Sequence, residues 1–81
     1  MKIRAQLYAQ LRDAAGTSYL DINLAEGAAV SDLLEQVYAK VPALRAHDKT
    51  ILVGVGLEFV ARSYELKSGD EISIMPPVQG G

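Results

Sequence analysis

The stretch VSDLLEQVYAKV, residues 30–41, decides the fold because it contains the clearest helix in the sequence. Its apolar side chains recur at spacings of three and four residues, which places them in one stripe along a helix. The stripe comprises Val30, Leu33, Leu34, Val37, Tyr38 and Val41. Ser31 is the nearest N-cap candidate, and Pro42 ends the helix. A stripe of this kind needs a second apolar surface to cover it.

Alternating segments on both sides of this helix supply that surface. Residues 2–7, 19–24 and 71–75 alternate between apolar and polar side chains, which is typical of half-buried strands. Residues 50–55 and 58–60 form two further β-rich segments, and residues 9–15 form a short helix that Gly16 terminates. The inward positions are Ile3, Ala5, Leu7, Leu20, Ile22, Leu24, Ile72 and Ile74. This order predicts an α+β fold with a mixed sheet packed on one main amphipathic helix.

Composition excludes several classes of function. The 81 residues carry a net charge of −2 without a concentrated basic face, which argues against nucleic-acid binding. There is no apolar run long enough for a membrane span and no visible secretory signal, so a cytoplasmic protein is expected. The chain has no cysteine and a single histidine, His47, so it offers no thiolate metal site and no histidine-rich metal site. A Ser/His/Asp triad would have to use that one histidine. We therefore expect no active site of its own and no metal.

The end of the sequence, MPPVQGG at residues 75–81, is the strongest functional feature. Pro76 and Pro77 cannot donate ladder hydrogen bonds, so the last strand must stop there or run along an edge. Two adjacent prolines also favour an extended exit from the domain. We predict a folded domain over residues 1–75 and an extended tail over residues 76–81.

The tail beyond the prolines is suited to a narrow channel. Val78 and Gln79 are small enough to be gripped by a groove, and Gly80 and Gly81 lack the Cβ that would block a passage as wide as the backbone. The reactive group at the end is a carboxylate, which is inert until it is activated. The residues indicate a carrier that presents this carboxyl group to another protein's active site, although composition alone favours an inert frayed tail equally.

The sequence resembles a known family from end to end. The segments LYAQLRDAAG (residues 7–16), VSDLLEQVYAKVP (residues 30–42) and LKSGDEISIMPPVQGG (residues 66–81) are similar to the small subunit of molybdopterin synthase, a ubiquitin-like sulfur carrier. The resemblance implies a β-grasp fold. It also implies that a ubiquitin-activating-type adenylyltransferase uses MgATP to adenylate Gly81, that a sulfur donor system converts it to a thiocarboxylate, and that this chain binds no cofactor itself.

The resemblance further implies a set of partners and contact residues. The sulfur would pass to cyclic pyranopterin monophosphate within the large, catalytic subunit, in a heterotetramer. The family docks through an apolar patch on the sheet, and Tyr8, Phe59 and Met75 match its positions. Tyr8 and Met75 are out of phase with the inward Leu7 and Ile74, so we expect them to point away from the core. Arg12 matches a basic position that would contact an acidic group on a partner.

Other functions within this fold remain open from the sequence. The family commonly has asparagine where this chain has Gly56; both residues tolerate positive φ, but a side-chain role there is lost. Carriers for thiazole, cysteine or tRNA thiolation are one alternative, although the thiazole carriers usually lack the proline pair. A ubiquitin-like modifier joined to lysines is another, and a plain interaction domain is a third.

Overall fold

A computed structural model of the chain describes residues 1–77. Within them, five strands form one sheet: β1 (Lys2–Leu7), β2 (Tyr19–Asn23), β3 (Leu52–Val55), β4 (Glu58–Val60) and β5 (Ile72–Met75). The helices are α1 (Ala9–Ala15), α2 (Val30–Lys40) and a 3₁₀ helix (Pro42–His47). The predicted order of elements is confirmed, and the segment after α2 adds a 3₁₀ helix.

The sheet is mixed, with its first and last strands side by side at the centre. The strand order is β2-β1-β5-β3-β4; β1 and β5 are parallel, and every other neighbouring pair is antiparallel. One face of the sheet packs against α2, whose side chains at the predicted stripe positions from Val30 to Tyr38 are buried. Val41 lies just beyond the end of α2 and is half-buried. This architecture is the predicted β-grasp fold.

The core combines the inward side of every long strand with the helices. The predicted inward residues are buried apart from Leu20, which lies partly buried at the edge strand β2. Sequence alternation did not indicate Leu11, Leu44, Ile51 and Leu66, which are also buried in the core. These residues come from the short helices and loops, where no strand or long-helix period marks the buried side.

The start of α2 differs from the prediction. The N-cap is Ala29 rather than Ser31, and its N–H donates to Asp32 Oδ2 at 2.9 Å. Ser31 already lies inside the helix, where its N–H donates to the Arg62 carbonyl at 2.9 Å. The loop after β4 therefore satisfies a helix-end donor that a capping side chain would otherwise bind.

Glycines at two turns take the left-handed conformation that the sequence suggested. Gly16 ends α1 with φ of 73° and donates its N–H to the Arg12 carbonyl at 3.0 Å. Gly56 begins the turn between β3 and β4 with φ of 61°. An asparagine could adopt the same φ, so the backbone of this turn does not depend on the departure from the family pattern.

Candidate docking face and tail exit

The face of the sheet opposite α2 aligns its side chains in rows across the strands. Paired residues on neighbouring strands point to the same side, so the register fixes which residues share a row. One row runs through all five strands in the order Tyr19, Gln6, Ser73, Gly54 and Phe59. This outer face is where the sequence predicted a partner surface.

Tyr8 and Met75 belong to the adjoining row of this face. Met75 pairs with Leu52 on β3, and Ile74 pairs with Leu7 on β1. Tyr8 follows Leu7 in extended conformation and donates its N–H to the Ile74 carbonyl at 3.2 Å. Tyr8 therefore lies beside Met75, on the side away from the core, as predicted.

Exposure defines a continuous apolar surface here. Phe59 is 61% exposed, Tyr8 is 43% exposed and Met75 is half-buried. Leu57, at the tip of the β3–β4 turn, is completely exposed. We call these four residues the docking face. The sequence-based prediction did not include Leu57. An apolar residue at the tip of a two-residue turn does not stabilise the fold, so its presence there could have indicated a contact surface.

The docking face contains a small recess over Gly54. It has a volume of about 80 Å³, and its walls include Leu57, Phe59 and Met75. Exposed aromatic and methionine side chains are enriched in protein interfaces. The recess gives the face a shape that a protruding side chain of another protein could fill.

The predicted tail begins beside this face. Strand β5 ends at Met75, Pro76 is half-buried and Pro77 is exposed. The prolines thus follow the end of the ladder directly, as expected from their missing N–H groups. Val78, Gln79, Gly80 and Gly81 lie outside the described residues. Their predicted roles as gripped and transferred residues stay predictions.

Arg12 lies apart from the rows of the sheet. It is exposed on α1 and forms no ion pair with any of residues 1–77. Helix α1 begins directly after Tyr8, so Arg12 is only four residues from the docking face along the sequence. It is not one of the four residues of that face. Its contact with a partner's acidic group stays a prediction.

A different arginine is neutralised at the opposite edge of the outer face. Arg4 donates from Nε to Asp21 Oδ1 at 2.8 Å and from Nη2 to Asp21 Oδ2 at 3.2 Å. The Cζ atom of Arg4 lies 4.0 Å from the centre of the Tyr19 ring. The hydrogen bond from Arg4 lowers the pKa of the Asp21 carboxyl group. Both side chains are well exposed, so this pair adds little stability. The charges of Arg4 and Asp21 therefore offset each other at this edge.

A polar cluster on the helix side holds the loop that leads into β3. The buried Tyr38 donates its hydroxyl to Asp48 at 2.6 Å, and Arg62 donates to the same carboxylate oxygen at 3.0 Å. Arg62 also donates to the carbonyls of Asp48 and Ile51 at 2.6 and 3.2 Å. Burial and the bond to Asp48 raise the pKa of Tyr38, while the two donated bonds lower the pKa of Asp48. No sequence pattern predicted this cluster, because Tyr38, Asp48 and Arg62 are 10 and 14 residues apart along the chain.

Two other kinds of feature would bear on function, a metal site and a membrane-spanning helix. Residues 1–77 contain no group of three or more histidine, cysteine or acidic side chains placed to hold a metal ion. None of the helices in this part of the chain has the length and apolarity needed to cross a membrane. The docking face and the start of the tail are therefore the features to compare with known proteins.

The ThiS family model matches residues 5–81. The chain belongs to the ThiS family. It is 37% identical, over the full length of both chains, to the molybdopterin synthase sulfur carrier subunit of Chlamydomonas reinhardtii. The expected family resemblance is thereby confirmed.

Solved structures that are similar to this chain share its fold, but their names describe different roles. A putative molybdopterin converting factor, subunit 1, from Pyrococcus furiosus is 29% identical, with a TM-score of 0.86 over 96% of this chain and 99% of that one. The small archaeal modifier protein 1 from Methanosarcina acetivorans is 31% identical, with a TM-score of 0.80 over 99% of this chain and 96% of that one. The fold of this chain is thus shared by solved proteins that are named as a molybdopterin converting factor subunit and as a modifier.

Proposed function

We propose that this chain is the sulfur carrier protein of molybdopterin biosynthesis, acting as a subunit and co-substrate rather than as an enzyme. The observation that carries the proposal is its full-length similarity to a molybdopterin synthase sulfur carrier subunit at 37% identity. The cytoplasm is the expected compartment, because activation of the tail depends on MgATP.

The chemistry begins at the carboxylate of Gly81. An adenylyltransferase of the ubiquitin-activating type joins this carboxylate to the α-phosphorus of ATP, and pyrophosphate leaves. A sulfur donor then supplies sulfide that displaces AMP, which leaves a thiocarboxylate. Magnesium and ATP belong to the activating enzyme, so the carrier needs no cofactor of its own.

The second half of the cycle takes place in the large synthase subunit. The thiocarboxylate sulfur bonds to cyclic pyranopterin monophosphate, and water then cleaves the acyl carbon–sulfur bond, which leaves the sulfur on the pterin and restores the carboxylate of the carrier. The dithiolene contains two sulfurs, so each product consumes two thiocarboxylated carriers. A heterotetramer with two large and two small subunits is the assembly that we propose.

Features of this chain support presentation of the tail to a second protein. The prolines follow immediately after Met75, and Met75 is part of the docking face. Contact through Tyr8, Phe59 and Met75 would hold the exit of the tail against the partner, with Pro76, Pro77, Val78 and Gln79 leading to Gly80 and Gly81. Absence of cysteine from the sequence means that no internal thiol can attack the activated carboxyl group.

Intact mass tests the proposal. The protein is incubated with a candidate activating enzyme, MgATP and a sulfur donor, and a second sample lacks Gly81. We expect a gain equal to one oxygen-for-sulfur exchange in the full chain and none in the shortened one, with both samples folded to the same extent. Cofactor synthesis that continues with the chain lacking Gly81 would refute the mechanism.

A ubiquitin-like modifier is the second candidate, and the similarity to a small archaeal modifier protein favours it. Adenylation would be the same, but a lysine amine would displace AMP and form an isopeptide bond. A modifier should leave heavier conjugates in cell extracts, whereas a dedicated sulfur carrier should leave few. Sulfur carriers for thiazole, cysteine or tRNA thiolation would pass the mass test but would not support molybdopterin synthesis.

A further inference from the structure

The recess in the docking face exists because residue 54 is glycine, and the fold does not require glycine there. A Cβ built at Gly54 would meet Glu58 O at 3.5 Å, Phe59 Cδ1 at 3.8 Å and Met75 Cε at 3.9 Å, which are ordinary contacts. Its φ lies outside the left-handed region. A methyl group would therefore be accepted by the chain and would occupy the recess.

The size and lining of the recess indicate what enters it. A volume of about 80 Å³ is roughly that of three water molecules. Its walls include three large apolar side chains, those of Leu57, Phe59 and Met75. These properties suit one short aliphatic side chain and disfavour an anion, because Glu58 also lines the recess and would repel a negative charge.

A larger, acidic groove adjoins the recess. It has a volume of about 400 Å³ and shares Gly56 and Ser73 with the recess. Asp70 and Glu71 line it, and the arginine on its other wall, Arg4, is already paired with Asp21 at 2.8 Å. Glu71 forms no ion pair with the rest of residues 1–77. The carboxylates of Asp70 and Glu71 thus give the groove a net negative charge beside the apolar recess.

We propose that Gly54 and Glu71 determine which partner docks on this face. The partner segment places a short aliphatic side chain over Gly54 and a lysine or arginine in the groove beside Glu71. This inference rests on the proposed function, since the protein that supplies the segment is the large synthase subunit. The apolar contact at Gly54 then mainly lowers the dissociation rate of the complex, whereas the charge of Glu71 mainly raises the association rate.

Binding kinetics of the purified large subunit on the immobilised carrier test the two parts separately. Gly54→Ala should weaken binding about tenfold, mainly through faster dissociation, because the aliphatic side chain can no longer be buried. Leu57→Ala should also weaken it, and because this side chain is fully exposed its loss cannot disturb the fold. Thermal unfolding of both variants verifies that the carrier is intact.

The charge is tested by Glu71→Lys with Glu26→Lys as the matched control. Both residues are exposed glutamates, but Glu26 lies in the loop before α2 rather than in this groove. Glu71→Lys should slow association about fivefold at low salt, and the difference should shrink at high salt because the charges are screened. Glu26→Lys should leave association nearly unchanged.

The outcomes separate this inference from the proposed function. If the wild-type carrier binds but Gly54→Ala binds equally well, the recess has no role and the carrier function stands; weaker binding by Leu57→Ala alone would then place the contact on the β3–β4 turn instead. Equal effects of the two lysine variants would overturn the groove assignment. A wild-type dimer in sedimentation that dissociates with Gly54→Ala would assign the recess to a second copy instead. A wild-type chain that does not bind the large subunit contradicts both the inference and the proposed function.

Discussion

Replacing Phe59 by alanine removes the largest exposed aromatic side chain of the docking face. Phe59 is 61% exposed, and a phenylalanine buries roughly 200 Å² when it is completely covered. About 120 Å² is therefore available to a partner, which at about 25 cal/mol per Å² corresponds to about 3 kcal/mol. Phe59→Ala should weaken binding of the large synthase subunit about a hundredfold.

Titration calorimetry with the purified large subunit measures this loss directly. Tyr19→Ala is the control, because Tyr19 is an aromatic residue in the same cross-strand row and is 41% exposed, but it lies on the far edge strand β2 under Arg4. Thermal unfolding of Phe59→Ala should change little, since most of the side chain already contacts solvent. Wild-type affinity in Phe59→Ala, or an equal loss in Tyr19→Ala, would refute the assignment of the docking face.

Three further predictions concern the body of the domain. Tyr38→Phe deletes the 2.6 Å bond to Asp48 and should lower the free energy of unfolding by about 1.5 kcal/mol in urea titrations; an unchanged midpoint would contradict a stabilising role. The pKa of Asp48 is lowered by bonds from Tyr38 and Arg62, so its contribution is complete above the unfolded pKa of about 3.9 and is lost as the pH falls through the folded pKa. Asp48→Asn should therefore be less stable than wild type at neutral pH, with the gap closing below about pH 4; a gap that persists in acid would show another cause. Leu34→Ala, at a side chain 1% exposed, should cost about 3 kcal/mol, whereas Gln36→Ala on the exposed side of α2 should cost little in the same titration.

Much of the fold was predictable because the spacing of apolar residues along the sequence indicates which side of a helix or strand is buried. The stripe from Val30 to Tyr38 identified α2 and its buried side, and the alternation around Leu7 and Ile74 set the orientation of Tyr8 and Met75. The β-grasp arrangement itself came from the family resemblance. Alternation alone cannot reveal that β1 pairs in parallel with β5, since a strand's period is the same for either neighbour.

The interactions that sequence reasoning missed are those made across long separations. Ala29 replaces Ser31 at the start of α2 because carbonyls from the loop after β4 satisfy the helix-end donors. Arg62 bonds to Asp48, 14 residues away, and neither belongs to a pattern. The candidate site was located through Tyr8, Phe59 and Met75, but the recess at Gly54 depends on how β3, β4 and β5 align, which is a property of the register.

The central position of β5 makes closure of the core depend on the last strand of the sheet. Strand β5 lies between β1 and β3, so the two halves of the sheet remain unjoined until the last strand is made. A ribosome must have synthesised the chain through residue 75 before the core can close, and a product that stops earlier would expose its apolar interior to proteases. A closed core is therefore a sign that synthesis has passed β5, and the fold itself distinguishes these chains from shorter fragments.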